Sequence, residues 1–373
     1  ANPGALPERA LTVHRATGAA PRPFLIVNTA LRVFEGDAPI GAAPVQGTPW
    51  FVGVVARPDA VDRRGEPIGG GGVPPYAFGG RLVGVRPGSP RIVEVEGPAL
   101  FGLHDLVGAS SAFLADKAIR GSVTEPLVPE YERYRPGAPA PAGGPDHFLD
   151  GGALENTGVA ALLAWQDIER LLIFVNAPKP LRLADDGSGV PVVERQVPPL
   201  FGYRPYEEGV GYRPYAGVEA PVIGPGEARG PRLPRPFGGR DDAVIEAFKR
   251  NAVFAAADFK GLLDGLLARA SAGTAAPGVG PSAHLQRRLR VIDNPWFGVK
   301  GGREVDALWF LLSPAAAWSD RLRPRVRRAL PPIWPNYPTG LTRLPPAWVN
   351  LLAHFTTWTV LELQPEVDAL FRP

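Results

Sequence analysis

The sequence contains neither cysteine nor methionine. Without cysteine there can be no disulfide, thiolate metal site or cysteine nucleophile, and because both secreted and cytosolic proteins can lack cysteine, the compartment stays open. The missing methionines include an initiator, so we expect Ala1 to be a processed end or a cut within a longer polypeptide. Residues 1–20 are accordingly interpreted as an N-terminal extension or cut end.

The net charge is small, and the sequence contains few histidines. The formal charge is only +3 over 373 residues, and the basic residues are scattered, so the electrostatic footprint of a nucleic-acid-binding protein is not indicated. The five histidines lack metal-ligand spacings such as His-x-x-x-His, so neither a metal nor another cofactor is predicted. These histidines are His14, His104, His147, His284 and His354.

No apolar run approaches the roughly 18 residues of a membrane span, and the first residues lack the pattern of a signal peptide. A hydrophobic content of 45% nevertheless supports a substantial core. We therefore expect a globular chain without a transmembrane span, for which peripheral membrane contact remains open.

Glycine and proline are abundant, at 45 residues each, and they concentrate in blocks between apolar segments. The loops at 68–80 and 133–145 are interpreted either as a lid over a lipid site or as plain surface loops. The block at 178–240 is predicted to be a loop insertion. It contains a local duplication of Tyr-Arg-Pro-Tyr, and residues 195–240 are expected to lie outside the main sheet, packed over the site or on a partner.

The apolar segments predict strands alternating with helices. Strands are expected at 24–33, 50–56, 91–97, 170–176 and 303–312, and helices at 99–119, 154–163, 241–269 and 348–358. This order is typical of an α/β fold, with a layered central mixed sheet flanked by helices. Residues 21–373 are predicted to belong to one such domain.

The stretch "HFLDGGALENTGVAALL" at 147–163 places a carboxylate at the end of one of these strands. Ligands commonly bind where strands of open α/β sheets end, and Gly151 and Gly152 permit unusual backbone angles or close approaches. Asp150 is thus a candidate functional residue. An aspartate that caps a helix behind a tight glycine turn explains the same pattern on physical grounds alone.

This stretch resembles the aspartate motif of the patatin-like and cytosolic-phospholipase-like acyl hydrolases, in which Asp-Gly-Gly is followed by an acidic-Asn pair. Three further segments are similar to that family in the same order, namely "RPFLIVNTALRV", "LVGASSAFLA" and "PNYPTGLTRLPPAWVNLLAHFTTWTV", the last resembling bacterial members. The resemblance covers residues 21–363 in patches. It implies a patatin-like fold and the aspartate-bearing C-terminal part of a Ser–Asp hydrolase of lipid or carboxylic esters.

In that family, Asp150 would be the catalytic base. Gly151 and Gly152 would shape its turn, and Asn156 would hold the start of the following helix. The family's serine lies upstream in a Gly-x-Ser-x-Gly elbow, which this sequence lacks. Ser110 lacks the closing glycine and Ser188 lacks the spacing, so the nucleophile is expected in a segment before Ala1 or in a separate subunit. A non-catalytic patatin-like scaffold or binding module remains the alternative.

Overall fold

The computed structural model describes the greater part of the chain. Its described residues are 25–35, 38–62, 65, 67–75, 78, 81–85, 93–96, 101–112, 129–131, 145–226, 245, 247–270, 283–337 and 343–371. The predicted extension at 1–20 and the loop at 133–144 lie outside them.

Helices and strands together form a mixed α/β structure. The strands are β1 (Val27–Glu35), β2 (Ala38–Gly47), β3 (Val52–Gly53), β4 (Arg81–Val85), β5 (Val93–Glu96), β6 (Glu130–Tyr131), β7 (Asp146–Asp150), β8 (Arg170–Val175), β9 (Arg182–Leu183), β10 (Pro191–Val192), β11 (Ala283–Val291) and β12 (Arg303–Leu311). The α-helices are α1 (Leu103–Ser110), α2 (Val159–Leu163), α3 (Phe259–Ala270), α4 (Ala316–Ser319), α5 (Pro324–Arg328), α6 (Pro346–Glu362) and α7 (Gln364–Phe371).

The described strands form two main sheets rather than the single central mixed sheet that was predicted. One sheet has the order β3-β2-β1-β7-β6 and is antiparallel throughout. The other has the order β11-β12-β8, with β12 antiparallel to β11 and parallel to β8. The division arises because the chain leaves β7 through a short turn and α2, and β8 then pairs with the distant β12.

The cores of the two sheets follow from their apolar patterns. β12 is buried on both faces, because Trp309 packs in the core with α3 while Phe310 packs with α7 on the other side. A continuous apolar run suits such a central strand. In the antiparallel sheet, Leu31 and Phe148 share one face and pack with Leu106 of α1.

The segment predicted as one helix over 241–269 is not one continuous helix among its described residues. Ile245 and Ala247 are α-helical, and α-helix resumes only at Phe259. Two 3₁₀ turns, Phe248–Asn251 and Ala256–Asp258, precede α3. A continuous helix is interrupted because the N–H groups of Val253 and Phe254 both donate to the carbonyl oxygen of Leu200, at 2.9 Å. The apolar side chains of Val253 and Phe254 are still buried in the core, although the segment between the two turns is irregular.

The Tyr-Arg-Pro-Tyr copies pair with each other. Tyr203 bridges Pro214 in antiparallel fashion, and the Arg204 N–H donates to the Arg213 carbonyl oxygen at 2.8 Å. Residues 195–226 therefore lie outside both main sheets, as predicted, but Tyr203 and Tyr212 are buried in the main core. The remainder of the predicted insertion up to residue 240 is outside the described residues.

Residues 68–75 do not form a free-standing loop. Val73 pairs with Val52, and Gly69 bridges Val54, so the segment extends the edge of the antiparallel sheet. Ile68 is buried in the core beneath that sheet. The interpretation of 68–80 as a lid or as a surface loop stays a prediction.

Candidate active site

Asp150 is the last residue of β7, and it lies opposite Thr29 of β1. Side chains alternate along a strand, so Asp150 is on the same face as Phe148, the face that packs against α1. Its Oδ1 accepts a hydrogen bond from the Gly152 N–H at 2.7 Å and caps the 3₁₀ turn Gly151–Ala153. The turn that follows the strand thus orients the carboxylate, which is half-buried.

The two glycines after Asp150 are needed for close approaches. A Cβ on Gly151 would lie 2.6 Å from the carbonyl oxygen of Asn28, so the turn presses directly against the backbone of β1. A Cβ on Gly152 would instead lie 2.5 Å from Asn156 Oδ1 and 3.1 Å from Asp150 Oδ1. Gly151 therefore positions the turn against the sheet, and Gly152 leaves room for the two polar side chains.

Two buried amides from distant parts of the chain hold the same turn. Gln196 accepts from the Asn156 N–H at 2.9 Å and donates to the Gly152 carbonyl oxygen at 3.1 Å. Asn251 donates to the Leu154 carbonyl oxygen at 2.6 Å. These bonds are partly buried, and breaking them would remove the protein partners of three backbone groups. The loop after Asp150 is consequently tied at three points to the surrounding core.

The start of α2 is held by the neighbours of Asn156. The Glu155 carboxylate accepts from the N–H and hydroxyl of Thr157 and, at 3.2 Å, from the Ala160 N–H. Burial raises the pKa of Glu155, and the hydrogen bonds from Thr157 oppose that increase. Gly158 adopts a φ of 75° immediately before α2, which restricts the predicted helix at 154–163 to Val159–Leu163.

A narrow cleft, with room for little more than a water molecule, is lined by Gly151, the residue after Asp150. Polar side chains face it alongside an apolar wall. Within the described part of the chain, Asn28 Oδ1 is buried there without a hydrogen-bond partner. The lining residues are Asn28, Thr29, Pro44, Val45, Gln46, Val55, Ala56, Gly151, Leu154, Glu155, Ala161 and Phe297.

Next to Ala56 and Phe297 in the wall of the cleft, two arginine side chains stack on a tryptophan ring. The guanidinium carbons of Arg57 and Arg250 lie 3.9 and 3.8 Å from the Trp296 ring centroid. Two planar groups cannot share one face at that distance, so they stack on opposite faces of the indole. This clamp joins the strand edge at Ala56 to the loop that carries Phe297.

The two candidate serines lie in different parts of the structure. Ser110, at the end of α1, donates to the carbonyl oxygen of Asn28 at 2.6 Å, so it lies at the same end of the sheet as the Asp150 turn. Its hydroxyl hydrogen is committed to that carbonyl. Ser188 is exposed and belongs to a different group, in which it contacts the Tyr206 hydroxyl at 3.0 Å. Hydrogen bonds from Ser188 and Tyr206 hold the pKa of Asp186 well below its usual range.

His147 pairs with Glu130 on the neighbouring strand, at 2.9 Å between Nδ1 and Oε1. It lies three positions before Asp150, so alternation along β7 directs the two side chains to opposite faces. Among the residues that the structure describes, no group of three or more potential ligands is suited to hold a metal ion.

Gln196, Asn251 and Asn28 were not identified from the sequence. Each lies at least 40 residues from the motif or in another strand, and an isolated amide in a sequence carries no signal of the backbone group that it will bond. Glu155 was noted only as part of the acidic-Asn pair. Its role at the start of α2 requires knowledge of where that helix begins.

Comparisons with protein-family models, curated proteins and solved structures give no match for this chain. The fold and the site define a mixed α/β protein with a hydrogen-bonded, carboxylate-bearing turn that lines a narrow cleft. Within the described ranges, no helix is long and apolar enough to cross a membrane.

Proposed function

We propose that this chain supplies the aspartate of a patatin-like Ser–Asp acyl hydrolase that acts on lipid or carboxylic esters. The observation that carries the proposal is the Asp150 turn. A carboxylate ends a strand and is oriented by the Gly152 N–H, and the turn that follows it lines a narrow cleft through Gly151 and Leu154. The resemblance of the surrounding motif to the patatin-like family supports the same assignment.

In the proposed reaction a serine hydroxyl attacks the ester carbonyl carbon while Asp150 accepts the hydroxyl proton. The tetrahedral intermediate then expels the alcohol, which takes that proton, and leaves an acyl-serine. Water then attacks the acyl-serine while the same carboxylate accepts its proton, and the serine oxygen takes that proton as it leaves, which releases the carboxylic acid. Histidine has no part in this sequence of steps.

The features of the turn suit a base that must not move. Catalysis by a positioned group depends on holding it within a fraction of an ångström of its productive place. Gly151 packs against β1, while Gln196 and Asn251 hold the loop on its other sides. Together these contacts fix the direction of the strand end that carries Asp150.

The nucleophile is proposed to come from a serine-bearing segment or subunit, because the sequence has no Gly-x-Ser-x-Gly elbow. Ser110 lies near the same turn but donates to Asn28. The chain alone is therefore expected not to hydrolyse p-nitrophenyl butyrate, and co-expression with the serine-bearing segment is expected to produce hydrolysis.

The test compares Asp150→Asn with Asp167→Asn in the reconstituted protein. Loss of a general base is expected to lower kcat by roughly 10²–10⁴-fold, whereas exposed Asp167 serves as the control and should leave kcat unchanged. A fluorophosphonate probe should label the added segment.

Two outcomes would overturn the proposal. Full activity of the Asp150→Asn protein would remove Asp150 from the chemistry. Hydrolysis by this chain alone that disappears in Ser110→Ala would place the nucleophile here. If no serine-bearing segment restores activity, the non-catalytic patatin-like scaffold or binding module becomes the better account.

A further inference from the structure

The helix α6 is almost free of charge and only partly covered. From Pro346 to Leu361 its sequence contains no Asp, Glu, Lys or Arg. Phe355, Trp358 and Thr359 are its buried residues. Val349 and Leu361 are 49% and 61% exposed. The exposed side of α6 is therefore uncharged, and exposed apolar residues lie there among asparagine, histidine and threonine side chains.

The inward side of α6 is firmly anchored. Phe355 packs against Trp318 and Trp334, with ring centroids 5.1 and 6.3 Å apart. The Trp318 indole N–H also donates to His354 Nδ1 at 3.0 Å. These contacts make α6 and the segment that carries α4 and α5 one packed unit.

That neighbouring segment carries a cluster of exposed arginines. Two of its members are paired, Arg321 with Glu362 at 2.7 Å and Arg327 with Asp320 at 2.9 Å. Three others have no ion pair within the part of the chain that the structure describes. These three are Arg323, Arg325 and Arg328.

We propose that α6 and the arginine cluster at 321–328 form a surface that docks onto an anionic phospholipid bilayer. Arginine forms paired hydrogen bonds with phosphate oxygens, and each basic residue near an anionic membrane strengthens binding by about fivefold. The uncharged side of α6 supplies the apolar contact that interfacial helices place at the headgroup boundary. The arginines therefore favour a charged lipid surface over an apolar protein partner.

This surface lies on elements other than the Asp150 turn, so its test does not depend on hydrolysis. The full chain is sedimented with vesicles of equal parts phosphatidylcholine and phosphatidylglycerol, and separately with phosphatidylcholine alone. We expect binding to the mixed vesicles that weakens as salt is raised, and little binding to the neutral ones.

The charge contribution is measured with two matched triple variants, each losing three positive charges. Removing the unpaired cluster arginines should weaken vesicle binding by roughly 100-fold, from about fivefold per charge. The control removes exposed basic residues elsewhere and should change binding little. The variants are Arg323→Gln/Arg325→Gln/Arg328→Gln and the control Lys179→Gln/Arg269→Gln/Lys300→Gln.

The apolar contribution is measured in the same way. Val349→Ser/Leu361→Ser should reduce binding, and Leu183→Ser/Val222→Ser, which alters comparably exposed residues elsewhere, should not. Circular dichroism of each variant checks that its fold is retained. Equal losses in a variant and its control, or no binding by the unaltered chain, would overturn the proposal.

Discussion

Replacing each glycine of the Asp150 turn by alanine should have different consequences for stability. At Gly151 the added methyl would lie 2.6 Å from the Asn28 carbonyl oxygen and 2.9 Å from the Thr29 nitrogen. Both are backbone atoms of a paired strand and cannot rotate away, so β1 and β7 must separate locally. Overpacking of this kind costs about 3 kcal/mol, the upper part of its usual range.

At Gly152 the added methyl would instead meet the side chains of Asn156 and Asp150. Rotation of these two side chains relieves the contact, so we expect Gly152→Ala to lower the free energy of unfolding by about 1 kcal/mol. Its main effect should be to displace the Asp150 carboxylate. The two substitutions thus separate the stability of the turn from the orientation of its acid.

Gly108→Ala is the matched control. Gly108 lies within α1, with nothing within 4 Å of its added methyl. Alanine there should increase the free energy of unfolding by about 0.5–1 kcal/mol, since glycine is the poorer helix former. Urea unfolding at constant m-value measures all three. The reasoning fails if Gly151→Ala costs no more than Gly152→Ala.

Two further substitutions test the support around the turn. Burial raises the pKa of Glu155, so the buried side chain favours its neutral form and stability should fall as pH rises from the ordinary value of 4.5 through the raised pKa. Glu155→Gln lacks this titration, so the stability of the unaltered chain relative to the variant should decline across that window; an increase would contradict the assignment. Gln196→Ala removes the protein partners of the Asn156 N–H and the Gly152 carbonyl, two partly exposed groups, and urea unfolding should show a loss of about 1–3 kcal/mol. Exposed Gln286→Ala should stay within about 0.5 kcal/mol, and equal losses would show that the bonds of Gln196 are not responsible.

Local patterns predicted the elements whose burial is regular. Residues 24–33 and 303–312 form strands because β-branched and aromatic side chains suit a buried, extended chain, and β1 and β12 match them within a few residues. The end of β7 at Asp150 was likewise predictable, since glycines follow the apolar run. The helix predicted over 348–358 as the last of the chain extends from Pro346 to Glu362, and the shorter α7 follows it.

The failures share a physical cause, which is that tertiary contacts override local spacing. Val253 and Phe254 continue the helical periodicity of their segment, yet their N–H groups donate to the Leu200 carbonyl oxygen and not along a helix. β2 contains two glycines and two prolines, and its pairing with β1 outweighs that poor strand propensity. The polar support of the turn depends on Gln196 and Asn251, whose partners are known only once the chain is folded.

The paired copies of Tyr-Arg-Pro-Tyr have a consequence for the order of folding. Tyr203 and Pro214 are about ten residues apart, so bringing them together closes a small loop. Joining β8 to β12 brings together Arg170 and Asp306, which are about 136 residues apart. The entropy of loop closure makes the second contact about 2 kcal/mol more costly than the first. The duplicated segment can therefore form early and offer Tyr203 and Tyr212 as a preassembled aromatic surface, on which the slower parallel pair of strands can condense.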